Sequence, residues 1–167
     1  MESFIDSNTL ANQIGPKDLF GIAYVSRREP QLDEAELQLI QHKSLRFNTE
    51  NQITGVLIVD DSWIIQVLEG RHDDVSALMN TIEEDTRHRE VRRFSSGKLA
   101  ERVLPNWEMT ERLEHEVPKY CHDKFARLAE VLWRVELPLR LTPERILNIY
   151  RLAKVYAAPH QHLRISA

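Results

Sequence analysis

Several things are scarce or missing in this chain of 167 residues, and each absence removes a class of function. There is one cysteine, Cys121, so no internal disulfide can form, and a reducing cytoplasm is the compartment that suits it. No apolar run approaches the roughly 18 residues that mark a membrane-spanning helix. The N-terminus, Met1-Glu2-Ser3-Phe4-Ile5-Asp6, is acidic and lacks the basic opening of a secretory signal. Positive charge is not in excess: 22 Lys and Arg face 26 Asp and Glu, a net −4, which gives nucleic acid no footing. Neither a Gly-x-Gly-x-x-Gly fingerprint nor a Walker loop is present. The seven histidines form no metal set. His160 and His162 stand two apart near the end, and His115, Cys121 and His122 lack a partner motif, so solvated histidines are expected. No internal repeat and no low-complexity segment occurs.

What is present is enough for one domain and a small extension. The chain is 42% hydrophobic and 29% charged, which allows a buried core and a soluble surface. Residues 1–17 are polar, carry Gly15-Pro16, and read as a loose arm. Residues 19–26 read as a strand. Asp33 followed by Glu36 is a capping-box variant that opens a helix over 33–47. Two apolar runs, 52–59 and 63–69, meet at Asp60-Asp61-Ser62 and predict a hairpin. Both runs are nearly continuous in apolar residues, which predicts a hairpin covered on both faces. Val75, Leu78, Met79 and Ile82 keep the helical period. Residues 91–98 and 102–109 read as two weaker strands, the second with Pro105 near its start. The order is βαββαββ, an α+β ferredoxin-like sheet with two helices on one face. Two more helices follow, with stripes at Phe125, Leu128, Ala129, Leu132 and at Ile146, Ile149, Tyr150, Ala153. Thr142 and Pro143 open the second of them. The shift at residues 114–118 divides a domain over 18–113 from an extension over 114–167.

The most telling stretch is Trp63-Ile64-Ile65-Gln66-Val67-Leu68-Glu69-Gly70. A buried amide is costly unless its donors and acceptor are satisfied, so a strand that holds Gln66 holds it for a reason. Tyr24 sits in the first apolar strand. Asn48 stands at a helix end, ahead of Gln52-Ile53-Thr54-Gly55-Val56. Taken singly, each has an ordinary explanation: a strand aromatic with its hydroxyl at the surface, a polar residue at a sheet edge, a helix C-cap. Taken together, the three can converge on one heteroaromatic ligand.

Five segments occur in order: Ile22-Ala23-Tyr24-Val25-Ser26, Asn48 through Ile53-Thr54-Gly55, Gln66-Val67-Leu68-Glu69-Gly70, Asp85-Thr86-Arg87-His88, and Trp107-Glu108-Met109. They resemble the BLUF family, the blue-light sensors that use FAD, over roughly residues 18–112. The tail over 118–160, with Thr142-Pro143-Glu144 and Leu152-Ala153-Lys154-Val155-Tyr156, is similar to the two-helix extension of the short stand-alone BLUF photoreceptors.

The resemblance implies a noncovalently bound FAD, with FMN an alternative, in a cleft between the two sheet helices. It gives Gln66 the place between Tyr24 and the N5/O4 edge of the flavin. Light then drives electron and proton transfer from Tyr24, and Gln66 is left rotated or tautomerised. Asn48 is implied at the pyrimidine edge, and Arg46, Arg87 and His88 near the phosphate-bearing end. Trp107 and Met109 are implied as the relay, one of them facing the Gln66 site. No substrate is turned over, so the chain is expected not to be an enzyme. A homo-oligomer that changes with light is implied, with an unknown output protein met through the C-terminal helices and no nucleic-acid or membrane partner. Phe47 departs from the pattern, since the family commonly has a polar residue there. Phenylalanine can pack on a ring but cannot hydrogen-bond it. Two alternatives stay open: a flavin-dependent enzyme, and a flavin-free interaction module, toward which Phe47 leans.

Overall fold

Asp33 opens the first helix as its position implies. Its carboxylate accepts the backbone N–H of Glu36 at 2.9 Å, satisfying one of the unpaired donors of the first turn. The Glu36 carboxylate does not reach back to complete a box; it meets Arg87 at 3.4 Å. The computed structural model describes residues 18–105, 107–111 and 119–157, with side chains over 18–105 and 123–152. The expected arm and the border at 114–118 lie outside the described residues.

The elements are β1 (Leu19–Arg28), α1 (Glu34–Glu50), β2 (Thr54–Val59), β3 (Trp63–Arg71), α2 (His72–Glu83), β4 (His88–Lys98), β5 (Trp107–Glu111), α3 (Lys119–Trp133), β6 (Leu139–Arg140) and α4 (Pro143–Ala157). The ferredoxin-like βαββαββ order and the two later helices are therefore present. The sheet order is β5-β2-β3-β1-β4-β6. β2 with β5 and β4 with β6 are parallel, and the other neighbours are antiparallel. The two-residue β6 is an element that no sequence pattern announces.

Local chemistry sets the boundaries. The hairpin turns on Asp60, whose carboxylate accepts the N–H of Ser62 at 3.0 Å and of Trp63 at 3.3 Å, as an Asx turn does. α1 runs three residues past the expected Phe47. It closes where Ile53 N–H bonds Asn48 O at 2.7 Å and Gln52 N–H bonds Thr49 O at 3.2 Å, with Gln52 at φ 53°. That is a Schellman closure with a non-glycine residue in the left-handed position. β5 begins later than expected, beyond Pro105, because proline brings no N–H to a ladder. Gly55 is required beside β3: a Cβ there would lie 2.0 Å from Val67 O.

The pleat sorts the strands into two cores. One face carries Ile22, Tyr24, Leu57, Val59, Ile64 and Leu68 under α1 and α2. The other carries Val25, Val56, Ile58, Trp63, Ile65 and Phe94 against Phe125, Ala129, Ile146 and Ile149 of α3 and α4. Both faces of the hairpin are thus covered, as its continuous apolar runs predict. Leu128, expected in the α3 stripe, is 38% exposed. Thr142 caps α4, accepting Arg145 N–H at 3.3 Å. A register shift between Ala23 and Tyr24 marks a bulge in β4 beside Tyr24.

The β4–β5 loop is tied by two buried charged side chains, Glu69 and Arg102, that each bond backbone groups. Glu69 Oε2 accepts the N–H of Val103 at 2.9 Å and of Leu104 at 3.3 Å. Arg102 donates to Thr54 Oγ1 at 2.6 Å, Glu69 O at 2.8 Å and Gln52 O at 2.5 Å. Burial pushes the Glu69 carboxyl up from 4.5 to about 7, against the two N–H donors and Arg102, which pull it down.

Two outcomes follow from this packing. Glu69 binds its proton more tightly folded than unfolded, so its contribution is full below the unfolded value and is lost as pH rises toward about 7. Wild-type stability should fall across that window by about 1.4 kcal/mol per pH unit. Glu69→Gln should flatten the dependence in urea unfolding at pH 5, 6, 7 and 8. An unchanged slope would show that Glu69 is not the group titrating. Phe125→Ala, at a fully buried position of the second core, should cost about 3–5 kcal/mol. It should lower one cooperative unfolding transition of the whole chain; a separate early transition would mean that α3 and α4 unfold independently.

Candidate functional site

The face under α1 and α2 is not filled. Between these helices and the sheet lies a cleft of about 320 Å³. Its walls are apolar: Leu37 and Ile40 from α1, Leu78 and Ile82 from α2, Leu57 and Ile64 from the hairpin. The α1 side chains recur at helical spacing, which turns one stripe of the helix, ending in Asn48, toward the sheet.

Polar groups enter this wall at few points. Tyr24 and Gln66 are register partners across β1 and β3, so the pleat points both side chains into the cleft. The Tyr24 hydroxyl donates to Gln66 Oε1 at 2.5 Å. Burial, and then the nearby Asp85 carboxylate, hold the Tyr24 proton far above its ordinary value. The phenol is therefore a proton holder. Asn48 is 2% exposed, and its Oδ1 is buried with no hydrogen-bond partner. An unpaired buried amide oxygen costs about 1–3 kcal/mol, and Asn48 is one of the residues that line the cleft.

The remaining site residues divide. Arg87 lines the cleft, but its guanidinium is held by Asp85 at 2.5 Å and by Glu36 at 3.4 Å. Burial acts to raise the Asp85 carboxyl, yet the hydrogen bonds and charge of Arg87 outweigh it and leave that carboxyl below its usual range. His88 also lines the cleft. Its Nε2 donates to Ile82 O at 2.7 Å and its Nδ1 meets Ser26 Oγ at 2.8 Å. The first contact caps the C-terminus of α2. With both nitrogens engaged, His88 has no N–H to offer a phosphate. Arg46 is not brought to the cleft: its side chain is 83% exposed and pairs with Glu50 at 3.0 Å. Arg46 is thus turned to solvent by its direction on the helix, and His88 is held by its bonding.

Phe47 is 44% exposed and lines the cleft with part of its ring. Lys43, Ser44, Thr81 and Asp85 also line it and were not picked out as ligand contacts. The signal for Ser44 was available, since it lies one helical turn before Asn48. Trp107 and Met109 lie outside the described side chains. Their backbones lie in β5, where Trp107 pairs with Gly55 of β2. Met109 pairs with Leu57, which pairs with Gln66. One row therefore crosses the sheet through Tyr24, Gln66, Leu57 and Met109.

The donor set suits a flat heteroaromatic ring with both hydrogen-bond donors and acceptors. Two amides and an Arg–Asp pair edge an apolar slot. Among the described residues there is no cluster of His, Cys, Asp and Glu fit for a metal ion, and no helix is long and apolar enough to cross a membrane.

Comparison with known proteins agrees with this geometry. The photoactivated adenylate cyclase subunit beta of Euglena gracilis is 29% identical over 137 residues, covering 80% of this chain and 16% of that protein. The subunit of the same name from Euglena longa is 26% identical over 137 residues, with 80% and 16% covered. The chain thus spans about one sixth of the length of these curated relatives. Among solved structures, BlrB, a BLUF protein in its dark state, superposes with a TM-score of 0.59 at 25% identity, covering 83% of this chain and 97% of that one. A bacterial light-regulated adenylyl cyclase shares the fold with a TM-score of 0.58 at 24% identity, covering 83% and 39%. The family described as sensors of blue light using FAD matches residues 19–110. That span is more than half of the chain and includes every strand and helix that builds the cleft, so the protein belongs to the BLUF family.

Proposed function

We propose that this chain is a blue-light photoreceptor that binds FAD noncovalently in the cleft and acts as a sensor, not as an enzyme. The observation that carries the reading is the Tyr24–Gln66 hydrogen bond at the cleft floor, beside an Asn48 oxygen left without a partner. FMN would meet the same ring contacts. A bound flavin supplies blue-light absorption and an electron-accepting ring.

The chain's own residues do the rest. Tyr24 holds a proton at Oη against Gln66 Oε1 in the dark. Withdrawal of electron density from the phenol weakens that hold, and the proton moves to Gln66. Its return leaves the amide rotated or tautomerised, with donor and acceptor exchanged toward the cleft. Asn48 and the Asp85–Arg87 pair orient the far edge of the ring. Lys43, not Arg46, is the cation of α1 that lines the cleft, and it is assigned to the phosphate-bearing tail. Output leaves through protein contact. The candidates are self-assembly and an output protein met on α3 and α4, where Val131 of α3 is 64% exposed and Leu137, in the connection after α3, 78% exposed.

Purified protein should carry a flavin spectrum and show a small reversible red shift on illumination. Gln66→Leu keeps most of the volume but neither donor nor acceptor, so it should bind flavin and lose the shift. A normal photocycle in that variant would remove Gln66 from the mechanism. Asn48→Leu removes the unpaired amide. The ligand-free protein should then gain about 1 kcal/mol in urea unfolding, while flavin binds about tenfold more weakly by titration. Tighter flavin binding in Asn48→Leu would show that this amide is no ring contact.

A further inference from the structure

We propose that Glu69 and Arg102 form a clasp that holds the β4–β5 loop on the ends of β2 and β3, and that this clasp sets how closely β5 follows a change at Gln66. The inference rests on the photoreceptor reading above, and both residues are positioning residues outside the cleft.

Three observations carry it. First, Gln66 and Glu69 stand three apart on β3, so they point to opposite faces. A strand that carries the cleft amide on one face carries the loop anchor on the other. Second, Arg102 bonds oxygens of Gln52, Thr54 and Glu69 at 2.5, 2.6 and 2.8 Å. These are the end of the α1 turn, the first residue of β2 and a late residue of β3. Glu69 in turn takes the N–H groups of Val103 and Leu104 at 2.9 and 3.3 Å. The loop is therefore pinned just before β5 starts. Third, β5 pairs with β2 through the row that joins Gln66, Leu57 and Met109. A strand at the sheet edge, with β2 as its one neighbour, needs its entry fixed if its register is to follow β2. The clasp holds that entry.

The pair is not fully satisfied. Glu69 Oε1 and Arg102 Nε are both buried without a partner. A maximally stable loop anchor would leave neither, because unpaired buried groups destabilise. A clasp poised to loosen is what such a half-satisfied pair makes.

The test uses the flavin-loaded full chain and hydrogen exchange read by mass spectrometry over residues 103–111, in dark and light. In Arg102→Leu and Glu69→Leu, exchange in this segment should rise about tenfold in the dark, as for loss of one charged hydrogen bond. The red shift should persist, and the light-minus-dark difference in β5 should vanish. Glu69→Gln keeps an acceptor for Val103 and Leu104 and should stay near wild type. Arg102→Lys keeps the charge without the planar fork, and is read in the same way where Leu is not tolerated. Wild-type exchange over 103–111 in these variants overturns the clasp. So does loosening spread evenly over β1–β4, which would mark a merely structural pair. Absence of a red shift in the wild-type protein sinks the photoreceptor reading instead, while the dark exchange still decides the clasp.

Discussion

The pairing of Tyr24 with Gln66 across β1 and β3 is the constraint around which the site is organised. Register alone puts the two residues opposite each other, and a slip by one position would send each side chain into the other core. The register is itself over-determined. β1 and β3 are the central strands of the sheet, and both of their faces are buried. A shifted pairing would bury Glu69 under α1 and α2 and turn Gln66 against the C-terminal helices. The hydrogen bond at the cleft floor is thus fixed by the burial of the whole hairpin.

The two faces of the sheet are used differently. α3 and α4 fill theirs with Phe125, Ala129, Ile146 and Ile149. α1 and α2 leave theirs open by about 320 Å³. The filled face supplies the stability that lets the other keep a slot and an unpaired amide. This is also why the later helices belong to the sensor's core in energetic terms, whatever they do as an output surface. The polar groups follow the same division. Those of the cleft face bond mainly to one another, and those of the opposite face, Glu69 and Arg102, tie loops.

Charge at the cleft reads differently in space than in sequence. Asp85-Thr86-Arg87-His88 looks like a basic cluster that would greet a phosphate. Folded, Arg87 is paired with Asp85 and Glu36, and His88 closes α2. What remains at the cleft is a polarised but compensated edge, suited to a ring with fixed donors and acceptors. Lys43, which carries no motif, is the exposed cation of α1 that borders the cleft.

The sequence by itself determined the order of elements, the hairpin and the covered state of both its faces, which follow from period and capping, both local; Tyr24, Asn48 and Gln66 were singled out by type and by the family resemblance, whereas Lys43, Ser44, Thr81 and Asp85 were not. It also singled out Thr142 and Asp33 as helix starts, because caps are read from one or two residues. Only the tertiary structure decided which side of a helix or strand a polar residue serves. Arg46 and Asn48 lie two apart on α1, and that separation turns one out to Glu50 and the other into the cleft. β6 and the Glu69–Arg102 tie join segments dozens of residues apart, and no local pattern encodes such a meeting. The physical reason is the same in each case. Propensity and capping are short-ranged, whereas direction, pairing and compensation of charge are settled only when distant strands come into register.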